Sequence, residues 1–110
     1  MTIPAQTITR NPRSTLDWLL DLSAWLKADA IDGTPSATVL QGDAIVFSVA
    51  ANPATIYVPD DDGCAVRQVP ARTGIVFWVT GGTTDTTARI SFATRAGRQE
   101  DVTLNIKLAA

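Results

Sequence analysis

A chain of 110 residues, 45% hydrophobic and 18% charged, holds one domain with one modest core, and its composition argues against collagen-like, membrane-spanning and strongly disordered classes. Nine Lys and Arg against eleven Asp and Glu leave a net charge of -2, too balanced for a protein that grips nucleic acid over a broad surface. With no histidine, Ser-His-Asp and Cys-His catalysis and histidine-ligated metals are excluded, and one cysteine, Cys64, cannot form an internal disulfide, a redox pair or a zinc site.

The start, Met1-Thr-Ile-Pro-Ala-Gln6, lacks the basic and apolar regions of a signal peptide, so synthesis in the cytoplasm without an export address is expected. Residues 1–13 carry Pro4, Pro12 and no sustained apolar period, and read as an extended arm rather than a packed element. The next segment, Leu16-Asp-Trp-Leu-Leu-Asp-Leu-Ser-Ala-Trp-Leu26, fits two periods. Helical spacing collects Trp18, Leu22, Trp25 and Leu26, with Ser14 and Asp17 imitating a capping box; strand spacing collects Leu16, Trp18, Leu20 and Leu22. Asp29-Ala-Ile-Asp-Gly33-Thr-Pro35 reads as turn material that ends either element.

From Ser36 onward short runs rich in Val, Ile, Thr and aromatics predict strands at Ala37–Leu40, Ile45–Ala50, Thr55–Val58, Ala65–Val69, Ile75–Thr80, Thr86–Thr94 and Val102–Leu108. Turn signals separate them without intervening helices, the pattern of an all-β antiparallel sandwich or barrel. Val102, Leu104, Ile106 and Leu108 share one face of the last run, and Ala88, Ile90, Phe92 and Thr94 repeat the pattern before it. These two runs, joined through Ala96-Gly97-Arg98, predict a hairpin with matched inner faces. Val76-Phe-Trp-Val79 is apolar on both sides, as a central strand requires, and Trp78 and Trp25 are the expected large core residues.

Candidate chemistry is sparse. Asp60-Asp-Asp-Gly63 lacks the alternating carboxylates of a helix-loop-helix calcium loop and reads as a solvated turn, with a weak surface Ca²⁺ site as the alternative. Gly81-Gly-Thr-Thr-Asp85 has no Lys-Ser/Thr ending and reads as a hairpin loop, not a phosphate cradle. Asp17, Asp21 and Asp29 with Lys27 form no convincing acid-base pair. Arg89, Arg95 and Arg98 cluster near the last hairpin, either as a charged edge that blocks strand pairing or as partners for acidic groups on another protein. No catalytic residue, cofactor or metal site is expected.

Two segments carry a family resemblance. Leu16-Asp-Trp-Leu-Leu-Asp-Leu-Ser-Ala-Trp-Leu26 with Asp29-Ala-Ile31, and Val76-Phe-Trp-Val-Thr-Gly-Gly82 through Thr94-Arg-Ala-Gly-Arg98, together about half the chain, resemble the small virion proteins of tailed bacteriophages called fibre-tail adaptor proteins. The resemblance implies an immunoglobulin-like antiparallel β-sandwich at 14–110, its first segment a strand, preceded by the arm at 1–13. It also implies a non-enzymatic virion component, present in repeated copies, that contacts tail, neck, portal or fibre proteins and neither nucleic acid nor membrane. Edge strands and the arm would make those contacts, with Ile3, Ile8, Arg10 and Arg13 on the arm and Arg95 and Arg98 on the last hairpin as the partner-binding candidates. The rival roles are a capsid decoration domain, and a carbohydrate-binding adhesion module that stacks sugars on Trp18 or Tyr57 with Ca²⁺ at Asp60 to Asp62.

Overall fold

The computed structural model describes residues 3, 5–11, 15–59 and 66–108. Strict alternation in the last third of the chain builds its centre: Thr86–Thr94 (β8) and Gln99–Leu108 (β9) form an antiparallel hairpin in which Ala88, Ile90, Phe92, Thr94, Val102, Leu104 and Ile106 are all buried. The expected inner faces are therefore correct, with Leu108 half-buried at the end of the strand. Ile31–Gln41 (β3) pairs antiparallel with β8, and Gln6–Arg10 (β1) pairs in parallel with β9, giving a four-stranded sheet of order β1-β9-β8-β3. Facing it, Leu16–Asp21 (β2), Gly74–Thr80 (β7) and Ile45–Ala51 (β4) form a three-stranded antiparallel sheet of order β2-β7-β4. Ile56–Pro59 (β5) and Val66–Val69 (β6) form a separate antiparallel pair. The two larger sheets share one core, to which Leu20, Ile75, Phe77 and Val79 contribute from one side and Ile90, Phe92, Leu104 and Ile106 from the other. Burial of these side chains, at about 25 cal/mol per Å² of apolar surface, is the main favourable term.

Three sequence expectations are corrected and one left open is resolved. Part of the arm is packed: β1 is a strand of the larger sheet, Ile3 lies in the core, and the buried Arg10 donates from Nη1 to the Gly81 carbonyl. Its two apolar anchors, Ile3 and Ile8, stand too far apart to show a period, so the pairing partner decides. The ambiguous segment is both things in turn. Strand β2 ends at Asp21, whose Oδ1 accepts from the N–H and the hydroxyl of Ser23, and Ser23–Leu26 (α1) makes one helical turn that buries Leu26 beside Leu22. The capping box imagined at Ser14 falls outside the described residues.

The supposed turn at Asp29 to Pro35 is largely the first half of β3. Its Gly33, at φ 72°, lies in a register shift between Asp32 and Ser36, so turn chemistry is spent on a bulge rather than on a chain reversal. Finally, Gly81 to Asp85 does not close a hairpin, because β7 and β8 belong to opposite sheets. It is a crossover: Gly81 and Gly82 take positive φ, and a Cβ on Gly82 would stand 3.1 Å from Ala44. Asp43, in the turn between β3 and β4, accepts hydrogen bonds from the amides and hydroxyls of Thr83 and Thr84. The amides that a phosphate would need are held by this carboxylate.

Candidate docking face

Strand alternation gives each sheet an outer face, and the two outer faces differ in chemistry. On β1, β9 and β8 of the four-stranded sheet the outward positions include Thr7 and Thr9, Thr87, Arg89 and Ser91, and Asp101, Thr103 and Lys107, the polar face normal for a half-buried sheet, while the edge strand β3 exposes Val39 and Leu40. On β2-β7-β4 the register places Leu19 beside Val76, Trp78 beside Phe47, and Ile45 beside Thr80, all on the side away from the core. Ile45 is 57% exposed, Phe47 37% and Trp78 38%. The Phe47 and Trp78 rings stack with centroids 6.3 Å apart and planes 28° from parallel. Asp17, opposite Trp78, and Asp21, opposite Gly74, are the charged residues that β2 brings to the border of this face.

Trp78 is thus not the core residue its size suggests. β7 is central and apolar on both sides, as expected, but its outer side is covered at one end only: Val69 of β6 and Leu19 close over Gly74, whereas Phe77 and Val79 point inward at the other end and Trp78 is left beside Phe47 with 38% of its surface exposed. Ile45, Phe47 and Trp78 are thus exposed apolar side chains gathered at one end of the sheet rather than scattered singly, which makes this end the candidate docking face. The sequence signal was present in Val76 to Val79, but Ile45 and Phe47 were missed because an apolar strand does not say which of its sides is bare.

The partner candidates named from the sequence fall in different places. Ile3 and Arg10 are buried and Ile8 packs against the core, so none of the three reaches a partner while β1 stays paired with β9. Arg13 lies outside the described residues, as do Asp60 to Asp62 and Cys64. Arg95 is exposed. Arg98 bonds to Asp29 from Nη2 at 2.8 Å and from Nε at 3.2 Å, and its guanidinium lies 4.5 Å from the centroid of the Trp25 ring. Trp25 is half-buried, edge-on to Phe92 at 6.2 Å. Asp29 also accepts from the amides of Ala30 and Ala96, and these hydrogen bonds, that of Arg98 first, hold its carboxyl well below the usual carboxylate range. The cluster clamps the last hairpin to the chain before β3.

Of the two rings considered for sugar stacking, Trp18 packs against the core and Tyr57 on β5 is 64% exposed. Among the described residues no three acidic side chains converge on a metal position, and no helix is long and apolar enough to cross a membrane. Comparisons with protein-family models, curated proteins and solved structures find no match for this chain.

Proposed function

We propose that this chain is a non-enzymatic structural protein of a tailed-phage virion, an adaptor at the tail, neck or fibre attachment that works by protein–protein contact. The observation that carries the reading is the exposed apolar cluster of Ile45, Phe47 and Trp78 on the outer side of β7 and β4. Aromatic residues of this size, once enclosed by a partner, supply most of the energy of a protein interface. A flat apolar sheet offers area and shape to another protein, and few of the convergent polar groups that orient a small substrate.

The strand order supports an immunoglobulin-like sandwich as the finer description. One sheet of order β2-β7-β4 faces another of order β9-β8-β3, β1 joins in parallel beside β9, and the β5-β6 pair is an insertion before β7. The segments that resemble the fibre-tail adaptors also meet in space. Trp25, Asp29 and Ile31 from the first are tied to Thr94, Ala96 and Arg98 from the second by the Asp29 hydrogen bonds, the Arg98–Trp25 stack and the Ile31–Thr94 pairing.

The test is incorporation into particles. Phage particles raised from a host carrying the gene should contain the chain at a fixed copy number, placed by immunogold at the tail, neck or fibre base. A Phe47→Ala/Trp78→Ala chain that retains its far-ultraviolet dichroism should be lost from them, since removing both rings costs about 2 kcal/mol or more of contact energy. Particles without the chain, or equal incorporation of the variant, overturn the reading; gold on the head surface would instead indicate a decoration role.

A further inference from the structure

A second exposed surface lies at the end of the sandwich where β7 begins and β8 ends, opposite the Trp78 cluster, which lies toward Thr80. A surface cavity of about 500 Å³ is lined there by Leu26, Ala28, Asp29, Arg95, Ala96 and Arg98. Two turns frame it. In the first, the Asp29 amide donates to the Leu26 carbonyl at 3.0 Å, and Lys27 holds φ 57° and ψ -113°, the first central position of a type II′ turn, which ordinarily takes glycine. In the second, the Gly97 amide closes on the Thr94 carbonyl, and Arg95 is pinned by its own amide to the carbonyl of Ala30. Strain at a non-glycine residue persists only where the surroundings over-determine the backbone, and it gathers at binding sites.

The charges around this cavity are unevenly spent. Asp29 is saturated: its Oδ1 accepts from the amides of Ala30 and Ala96, and its Oδ2 from Nε and Nη2 of Arg98. Arg98 is thereby paired, and its guanidinium lies over the Trp25 ring. Arg95 lines the same cavity and is exposed, and its guanidinium has no carboxylate or carbonyl partner among the described residues; Lys27, between two of the lining residues, is likewise exposed and unpaired. Asp32 and Glu100, the next acidic residues on β3 and β9, lie outside the lining. Three cations, Lys27, Arg95 and Arg98, therefore stand against one carboxylate on a chain whose net charge is -2.

We propose that this cavity docks a glutamate or aspartate side chain from an acidic segment of another protein, with Arg95 as the group that takes the carboxylate. The guanidinium presents paired donors in a planar fork that matches both oxygens of a carboxylate. The methylenes of that side chain, and an apolar neighbour on the segment, rest on Leu26, Ala28 and Ala96. Charge complementarity names the partner, and a nucleic acid fits less well because it would set dense negative charge against a net acidic chain. The site does not depend on the apolar cluster; the two give the molecule contact surfaces of different chemistry at its opposite ends.

Titration of the full chain with a capped Leu-Glu-Leu-Glu peptide, followed by proton–nitrogen amide NMR, tests the site. Shifts should be confined to Leu26 to Ala30 and Thr94 to Arg98, fit a dissociation constant of about 1 mM or tighter, and weaken as salt is added. Glutamine in place of glutamate in the peptide should abolish them. Arg95→Glu should weaken binding at least about tenfold and Arg95→Lys less, whereas Arg89→Glu, the same charge change at an exposed arginine on β8, should leave it unaltered; dichroism establishes that all three are folded. No shifts at about 10 mM peptide, equal shifts with the glutamine peptide, binding retained by Arg95→Glu, or inorganic phosphate moving the same amides with equal affinity each overturn the proposal. None of these outcomes bears on incorporation into particles, so the apolar docking face stands or falls by its own test.

Discussion

At the scale of single residues, the groups that fix this fold are polar ones. Asn52 is fully buried; its amide nitrogen donates to the carbonyls of Ala54, Val69 and Pro70, and its Oδ1 accepts from the Gly74 amide. Its backbone bonds to Gly74 and Arg72 as well, so one side chain joins the end of β4, the end of β6 and the start of β7. Truncation would leave several buried backbone groups unpaired, each costing roughly 1–3 kcal/mol. Asn52→Ala should therefore destabilise the domain by about 3 kcal/mol or more in urea unfolding, far beyond an exposed Asn→Ala change. Two carboxylates make stability depend on pH. Asp43, bonded first by the Thr83 hydroxyl and then by the Thr83 and Thr84 amides, is lowered from 3.8 to about 2, and Asp29 is depressed in the same direction by Arg98. A group whose folded pKa is depressed adds stability above its unfolded pKa and loses it as pH falls toward the folded value. The melting temperature should accordingly drop between about pH 4 and pH 2, and Asp43→Asn and Asp29→Asn should each flatten that drop while lowering stability at neutral pH.

At the scale of elements, what could be read in the chain depended on whether local pattern and tertiary pairing agreed. β8 was expected at its observed boundaries and β9 was recognised from its buried half, because one face of each is wholly apolar and a Gly-containing turn joins them. β3 was half missed, since Asp32-Gly-Thr-Pro35 carries turn residues that the sheet absorbs as a bulge while Arg72 binds the carbonyls of Ile31 and Gly33. β1 could not be seen locally: a parallel partner almost a hundred residues away and the Arg10 bond to Gly81 hold it. Arg10→Ala should speed amide exchange across Gln6–Arg10 at least about tenfold and leave the β8-β9 hairpin unaffected, a local opening rather than a global one. The candidate face was legible only in part. Apolar residues on both sides of β7 were evident, but whether a second layer covers the outer side is a property of topology, which no single strand encodes.

At the scale of the molecule, the sandwich is asymmetric, with a largely polar outer face on β1, β8 and β9 and an exposed apolar cluster on the outer side of β7 and β4. Its two ends are closed by different devices: the Asp43, Gly82 and Arg10 contacts around the crossover from β7, and the Asp29, Arg98, Arg72 and Asn52 contacts where β7 begins and β8 ends. The parallel seating of β1 on β9 has a mechanical consequence. Gln6 lies beside Leu104 and Arg10 beside Leu108, so tension applied through the chain before Gln6 and after Leu108 draws two neighbouring strands in opposite directions along their common axis. The bonds between them then strain together in shear instead of opening one after another, and the protein resists stretching along its own chain far better than it resists being peeled sideways.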